Sequence, residues 1–132
     1  MISKISIEEI AIKYDLELIV IFGSYGTKRY NELESDIDIA VLPCKDNFDF
    51  ILKDLLRDLM IYFNKGNIDI VNLKTVNLLL KQQIAENGKK LYEKKQGLYD
   101  LCMNYYLKLF MENSKYYKEY INETLKELKE TN

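Results

Sequence analysis

Asp36 and Asp38 are two carboxylates in an otherwise apolar segment that runs to Leu42. The apolar residues predict a strand, and side chains two apart leave a strand by the same face. The two carboxylates should therefore point to one place, where their repulsion favours a positive charge between them. Oxygen ligands suit Mg²⁺, which proteins commonly hold with one or two carboxylates and the phosphates of a substrate. The pair thus predicts a site for a divalent cation.

Gly23 and Ser24 directly follow another apolar strand, predicted over residues 17–22. Glycine lets the backbone approach a ligand closely, and the serine hydroxyl can donate a hydrogen bond to a phosphate oxygen. One or two helical turns after Ser24, ending by residue 30, would direct free N–H groups at the same anion. Together with the cation site, these features predict a nucleoside triphosphate and phosphoryl or nucleotidyl transfer.

Asp69 is a third carboxylate, inside a short aliphatic strand predicted over residues 67–73. Beside the strand of Asp36 and Asp38, it could complete a site for two metal ions or accept the proton of an attacking hydroxyl.

Each feature also has a plain structural interpretation. The acidic pair could be solvated polarity at a strand end, the Gly-Ser pair an ordinary turn, and Asp69 an edge-strand residue. Their occurrence together and in this order favours the chemical interpretation.

The whole arrangement resembles the small nucleotidyltransferases of the DNA polymerase beta superfamily, and within it the minimal nucleotidyltransferases, or MNT proteins. Their signature is a strand, Gly-Ser, a loop, Asp-x-Asp on the next strand and a further Asp on a later strand. The matching residues here are Gly23, Ser24, Asp36, Asp38 and Asp69. The resemblance covers residues 1–95 and implies a polymerase beta-type α/β (α+β) fold.

The loop between Ser24 and Asp36 departs from the family pattern. It holds eleven residues, one more than the commonest spacing. Segment 26–29, with the sequence Gly-Thr-Lys-Arg, stands where many members carry Ala-Arg-Gly. Lys28 or Arg29 is therefore expected to supply the positive charge that meets the phosphates.

The resemblance also implies an activity and a partner. Stand-alone MNT proteins are frequently antitoxins of HEPN-domain ribonuclease toxins, which they neutralise by transferring AMP from ATP to a toxin tyrosine. By this resemblance Asp36 and Asp38 would hold Mg²⁺, and Asp69 would assist the attacking tyrosine hydroxyl. Gly23 and Ser24 would hold the triphosphate of ATP. The protein would form a hetero-oligomer with its toxin.

Composition limits the classes of function. The chain has 132 residues, which is about one domain and leaves no room for separate catalytic and substrate domains. Hydrophobic residues make up 48%, which excludes a disordered protein. Lys and Arg number 19 against 21 Asp and Glu, so no broad basic surface for DNA or RNA is expected. Histidine is absent, which excludes histidine-based acid, base or zinc chemistry.

The two cysteines and the absence of long apolar runs bear on location. Cys44 and Cys102 fit no metal-ligand spacing and are expected to be reduced packing residues. No run of about eighteen apolar residues and no secretory leader is evident. We therefore expect a cytoplasmic protein without a membrane span.

Hydrophobic periodicity outlines the remaining elements of the predicted nucleotidyltransferase domain, residues 1–95. A short helix is predicted after Ser6, a longer amphipathic helix over 46–63 and a third over 75–86, and segment 89–93 could be a further strand. We interpret the charged residues of the long helix as a solvated face: Lys53, Asp54, Arg57 and Asp58. The order of elements predicts a small mixed sheet with helices packed on it.

Residues 96–132 are predicted to form a C-terminal helical extension and a partner-binding element. An unbroken helix of about 33 residues would span about 50 Å, more than a domain this size can cover, so a break at Asn113-Ser114 is expected. Six of the eleven tyrosines lie here, which would suit a partner surface. The alternative is a helix folded back on its own sheet.

Three functions are compatible with these features. The favoured one is a Mg²⁺- and ATP-dependent protein adenylyltransferase that serves as an antitoxin. The second is a nucleotidyltransferase with a small-molecule or RNA-end substrate, although no second domain is evident to form its pocket. The third is a catalytically silent module that neutralises its partner by contact, and the altered loop after Ser24 is its main support.

Overall fold

The computed structural model describes residues 5–23 and 36–130, except for the side chain of residue 117. Four strands and four helices form within these ranges. In chain order they are α1 (Ile7–Lys13), β1 (Leu16–Phe22), β2 (Ile37–Pro43), α2 (Phe48–Phe63), β3 (Ile68–Asn72), α3 (Leu78–Asn87), β4 (Lys89–Glu93) and α4 (Leu98–Glu130).

The strands form one mixed sheet in the order β3-β2-β1-β4. β1 is antiparallel to both β2 and β4, whereas β2 and β3 are parallel. Parallel neighbours cannot be joined by a tight turn, and α2 supplies the long crossover between them. The predicted α/β fold with a small mixed sheet is confirmed, and segment 89–93 is the fourth strand.

Each face of the sheet is covered by a different pair of helices. On one face, α1 and α2 pack against alternate strand residues that include Ile19, Ile21 and Ile39. On the other face, α3 and the first half of α4 pack against Leu18 and Ala40. Successive strand residues point to opposite faces. Because β1 and β2 consist almost entirely of apolar residues, both faces carry an apolar core.

The predicted boundaries are close to the observed ones, and most deviations have a local cause. α3 begins at Leu78 rather than at 75, because the Asn77 side chain accepts a hydrogen bond from the Leu80 backbone N–H at 2.9 Å and caps the helix there. Pro43 is the last residue of β2, as expected for a residue without a backbone N–H. The helical turns predicted after Ser24 lie outside the described residues.

α4 is one helix of 33 residues, so the break predicted at Asn113-Ser114 is wrong. The Asn113 side-chain amide donates to the Leu109 carbonyl at 2.7 Å, four residues earlier in the same helix. The Glu93 carboxylate accepts from the backbone N–H groups of Gly97 and Tyr99, both at 3.1 Å, and so caps the start of α4.

α4 runs antiparallel to α3. The Tyr99 hydroxyl donates to the Gly88 carbonyl, just after α3 ends, at 2.9 Å. One face of the Tyr106 ring has the Lys81 ammonium, in the first turn of α3, at 5.5 Å from its centroid. The second half of α4 therefore continues past the start of α3, and residues there are mostly exposed.

The tail tyrosines divide between the core and the surface. Tyr99 is half-buried, and Tyr106 is only 7% exposed, so burial raises its pKa to about 12. Tyr105, Tyr116 and Tyr120 are 57, 73 and 65% exposed. One side of the first half of α4 therefore packs on the sheet, as the folded-back alternative expects. The second half presents mostly exposed side chains, and a partner surface there stays a prediction.

Asp58 corrects the prediction of a solvated face on α2. It is 9% exposed and accepts hydrogen bonds from the Tyr14 hydroxyl at 2.5 Å and from the Lys13 ammonium at 2.8 Å. These bonds link the end of α1 to the middle of α2. The position follows from helical spacing, because Asp58 lies seven residues after Ile51 and three after Leu55, both in the core. That spacing was the signal that sequence reasoning missed.

None of the described helices combines the length and the apolar character that a bilayer crossing demands. Cys44 and Cys102 are both free thiols.

Asp58→Ala should lower the free energy of unfolding at pH 7 by about 2 kcal/mol, because it leaves the buried Tyr14 hydroxyl without its acceptor. Burial alone would raise the pKa of Asp58, but the hydrogen bonds from Lys13 and Tyr14 outweigh it and hold that pKa below its ordinary value. The contribution is therefore present above the ordinary value of 3.8 and is lost as pH falls through the lower, folded-state pKa.

Urea unfolding at pH 7 and at pH 3 measures both effects. The matched control is Asp54→Ala, since Asp54 is exposed and pairs only with Arg57 at 3.4 Å. Its effect should stay within about 0.5 kcal/mol. Equal effects of the two variants at pH 7 would contradict the structural role of Asp58.

Candidate active site

Asp38 lies at the centre of the predicted site. It is the second residue of β2, and its Cα is paired with Phe22 of β1 on one side and with Asp69 of β3 on the other. Residues paired in register on parallel strands point to the same face, so Asp38 and Asp69 are side by side. β3 lies beside β2, which was the condition for Asp69 to join the other two carboxylates. Their shared face is the one that α3 and α4 cover further along.

Asp36 lies just before β2 and is exposed. It is two residues from Asp38 and so belongs to the same face. The pKa of Asp38 is raised, first because the carboxyl is partly buried and then because the negative charges of Asp69 and Asp36 are near it. The negative charges of Asp36 and Asp69 therefore act on Asp38, which lies between them.

The carboxylates are near one another but do not form a closed ligand cluster. Within residues 5–23 and 36–130, no group of three acidic, histidine or cysteine side chains is close enough together to hold a metal ion. Asp36 and Asp69 are exposed, and only Asp38 is partly buried.

The donor set nonetheless fits a hard divalent cation. All three groups offer carboxylate oxygens, which Mg²⁺ prefers. Among the ion pairs of the described residues, none involves Asp36, Asp38 or Asp69. A cation at this place would relieve the repulsion that raises the pKa of Asp38.

Gly23 brings the end of β1 against Asp38. Its φ is 78°, in the left-handed region, and a Cβ built there would overlap the Oδ2 atom of Asp38. Only glycine combines this backbone angle with so close an approach. The other predicted nucleotide-binding residues, Ser24, Lys28 and Arg29, lie outside the described residues.

A cleft of about 550 Å³ lies elsewhere, at the far ends of β2 and β3. Its lining includes Asn47, Phe48, Phe50 and Lys74, but none of the predicted site residues. Because Asp38 and Asp69 stand at the beginning of these strands, the cleft does not serve the carboxylates.

Comparison with known proteins identifies the family of this chain. Residues 6–97 match the family model described as polymerase beta, nucleotidyltransferase. The chain belongs to this nucleotidyltransferase family. The matched segment runs from the cap of α1 to the residue before α4 and contains every predicted site residue.

A protein from Shewanella oneidensis is similar in sequence. It is the protein adenylyltransferase MntA, which is 39% identical over 83 residues. The aligned region is 61% of this chain and 57% of that protein, so the likeness covers only part of the relative's length.

Solved structures share the fold over most of this chain. A chain of the complex between the tri-AMPylated Shewanella oneidensis HEPN toxin and the MNT antitoxin has a TM-score of 0.66 and is 25% identical. The match covers 90% of this chain and 92% of that one. A chain of a toxin–antitoxin crystal structure with AMP-PNP has a TM-score of 0.69 over 90% and 95%, and its identity of 24% shows the fold alone.

Asp38→Asn should stabilise the metal-free protein at neutral pH. A raised pKa means that ionised Asp38 is less stable in the fold than in the unfolded chain, so removing its charge recovers free energy. The gain should be present at pH 7 and vanish below the ordinary value of 3.8, where the carboxyl is protonated in both states. We expect the unfolding midpoint in EDTA to rise by about 3 °C, equivalent to roughly 1 kcal/mol.

Asp54→Asn, on the exposed face of α2, is the control and should leave the midpoint nearly unchanged. A lower midpoint for Asp38→Asn at pH 7 would mean that the carboxylate is stabilised in the fold.

Gly23→Ala should lower the free energy of unfolding by about 1–2 kcal/mol, because its Cβ meets Asp38 and its φ is unfavourable for an L-residue. In an Asp38→Ala background the overlap disappears and only the backbone cost remains. A double-mutant cycle by urea unfolding should therefore give a coupling of at least about 0.5 kcal/mol. Additive effects would show that the turn does not press on this carboxylate.

Proposed function

We propose that this protein is a protein adenylyltransferase that acts as an antitoxin. It transfers AMP from ATP to a tyrosine of a HEPN-domain toxin, with Mg²⁺ as the cofactor. The observation that carries the proposal is the pairing of Asp38 with Asp69 in register, with the Gly23 turn against Asp38. This places two carboxylates, and a third two residues away, beside the turn at which a triphosphate would lie.

The proposed reaction forms one bond and breaks one. The tyrosine oxygen attacks the α-phosphorus of ATP, and the bond from that phosphorus to the β-phosphate oxygen breaks, releasing pyrophosphate. The hydroxyl proton passes to Asp69, whose exposed position on an edge strand leaves it open to a large substrate. Asp36 and Asp38 hold the metal, and Asp69 can share it.

The bound metal would neutralise charge on the phosphates and orient the attacking and leaving oxygens. Gly23 leaves room for the phosphates to approach the backbone, and Ser24 is proposed to donate to a phosphate oxygen. Lys28 or Arg29 is proposed to supply the remaining positive charge.

The comparisons support the substrate and the partner. The relative with 39% identity is itself a protein adenylyltransferase, and the structural neighbour with 25% identity comes from a complex of an AMPylated HEPN toxin with its antitoxin. By extension, this chain would use ATP and would form a hetero-oligomer with a toxin. Two free thiols and the need for ATP favour the cytoplasm as its location.

The division of labour along the chain is part of the proposal. Residues 1–95 would form the catalytic unit and 96–132 the element that binds the partner. The first half of α4 also supports the core, where Met103 and Tyr106 are buried against the sheet. The second half of α4 is the part left available to a partner.

Labelled ATP tests the proposal directly. The purified protein is incubated with α-labelled ATP and Mg²⁺, with and without the product of the adjacent reading frame. We expect label on the partner, its loss in EDTA, and a decrease of at least about 100-fold in the Asp36→Asn, Asp38→Asn double variant. The control is an Asp49→Asn, Asp54→Asn double variant, which makes the same charge change on the exposed face of α2.

Each alternative function has its own outcome. A partner that carries no label and is neutralised equally well by the Asp36→Asn, Asp38→Asn variant would identify a module that acts by binding alone. Label on an RNA end or a small molecule instead of the partner would identify a different nucleotidyltransferase. Either result contradicts the proposed adenylyltransferase.

A further inference from the structure

The second half of α4 carries an exposed apolar stripe. Its members are Met111, Ile121, Leu125 and Leu128, which are 71, 38, 50 and 59% exposed. Ser114 and Lys118 fill the remaining positions, so that the series advances by alternate steps of three and four residues. This is the spacing of a helix that pairs lengthwise with another helix, and it extends over about 26 Å. We call this series the tail stripe.

The charges beside the tail stripe are segregated. At about 100° per residue, the four lysines of the second half lie in one arc of about 80° that begins at Lys118 in the stripe. The five glutamates lie in the following arc, on the back of the helix. The lysines are Lys115, Lys118, Lys126 and Lys129, and the glutamates are Glu112, Glu119, Glu123, Glu127 and Glu130.

Lys118 and Lys129 have no glutamate three or four residues away on the helix, whereas Lys115 and Lys126 do. Among the ion pairs of the described residues, none involves Lys115, Lys118, Lys126 or Lys129. The flank on the opposite side of the tail stripe is uncharged and includes Phe110 and Thr124. An apolar stripe with a basic flank is complementary to an amphipathic helix with an acidic flank.

The same charges disfavour a second copy of this chain as the occupant. In a parallel pair, Lys118 would face its own counterpart, and in an antiparallel pair the two lysine flanks would adjoin. Like charges at these positions select against self-association. A charged residue buried between two paired helices also destabilises the pair unless a group of the partner helix neutralises it. For Lys118 that group would be a carboxylate.

We propose that the tail stripe is the docking site for an amphipathic helix of the partner protein, with an acidic residue opposite Lys118 and further acids along the lysine flank. The identity of that partner as the toxin rests on the proposed function. A structure that matches 90% of this chain must share part of α4, because α4 makes up a quarter of the chain. One such structure is a toxin–antitoxin complex.

Two pairs of matched variants test this docking. Lys118→Gln with Lys129→Gln removes two charges beside the stripe, and its control, Glu112→Gln with Glu123→Gln, removes two from the back. Ile121→Gln with Leu125→Gln removes apolar surface from the stripe, and its control, Tyr116→Gln with Tyr120→Gln, removes it from elsewhere. All eight positions are exposed, and glutamine has a helix propensity close to that of Lys, Glu and Leu, so α4 should persist by circular dichroism.

Binding of the full-length protein to the product of the adjacent reading frame is measured by calorimetry at two salt concentrations. We expect both stripe variants to bind at least about tenfold more weakly, and both controls to stay within about twofold of the wild type. Wild-type affinity should fall with salt, and the lysine variant should show a smaller dependence.

Four results would overturn the docking proposal. They are no binding of the partner by the wild type, equal binding by stripe variants and controls, a wild-type dimer that the Ile121→Gln, Leu125→Gln variant converts to a monomer, and binding of the stripe to anionic phosphatidylglycerol vesicles instead of the partner. The label-transfer assay separates this proposal from the function. Label transfer without any effect of the stripe variants overturns the docking alone, whereas stripe-dependent binding without label transfer overturns the function alone.

Discussion

Like charges held side by side at the start of two parallel strands are the constraint on which the site depends. Asp38 and Asp69 are paired in register, and the raised pKa of Asp38 reflects its partial burial and this repulsion. The next residues on the same face, Ala40 and Val71, pack beneath α3 and α4. A slip of one residue in the pairing of β2 with β3 would turn one of these apolar side chains to the opposite face of the sheet. The register that buries the core is therefore the register that sets the two carboxylates together.

The rest of the sheet maintains that register from both sides. β1 pairs with β2 along its length and is followed by Gly23, whose missing side chain leaves room for Asp38. α2 crosses over from β2 to β3 and keeps them parallel, and Asp58 fastens α2 to α1 through Tyr14. Two carboxylates with reduced exposure, Asp58 and Asp38, thus have different surroundings in this fold. Asp58 is stabilised by its donors, while Asp38 is left without one among the described residues.

Sequence reasoning placed the strands and the carboxylates because alternation is a strong local signal. Asp36 and Asp38 interrupt an apolar run, and Asp69 interrupts another, so their faces could be predicted from spacing. Contacts between elements far apart in the sequence could not be predicted in this way. The partnership of Asp58 with Tyr14 depends on how α1 meets α2. α4 continues through Asn113, whose side chain bonds within the helix. Propensity alone decides neither.

The direction of α4 places the tail stripe far from the carboxylate site. Because α4 is antiparallel to α3, its second half leads past the end of β3, whereas Asp69 lies near the beginning of that strand. From Tyr106 to the last residue of α4 the helix extends about 36 Å further. A helix docked on the tail stripe would therefore lie far from Asp38. The residue that receives AMP must then belong to another part of the partner that reaches back along the sheet. Selection of the partner would depend on the tail, and the carboxylate site would need to recognise only a hydroxyl and ATP.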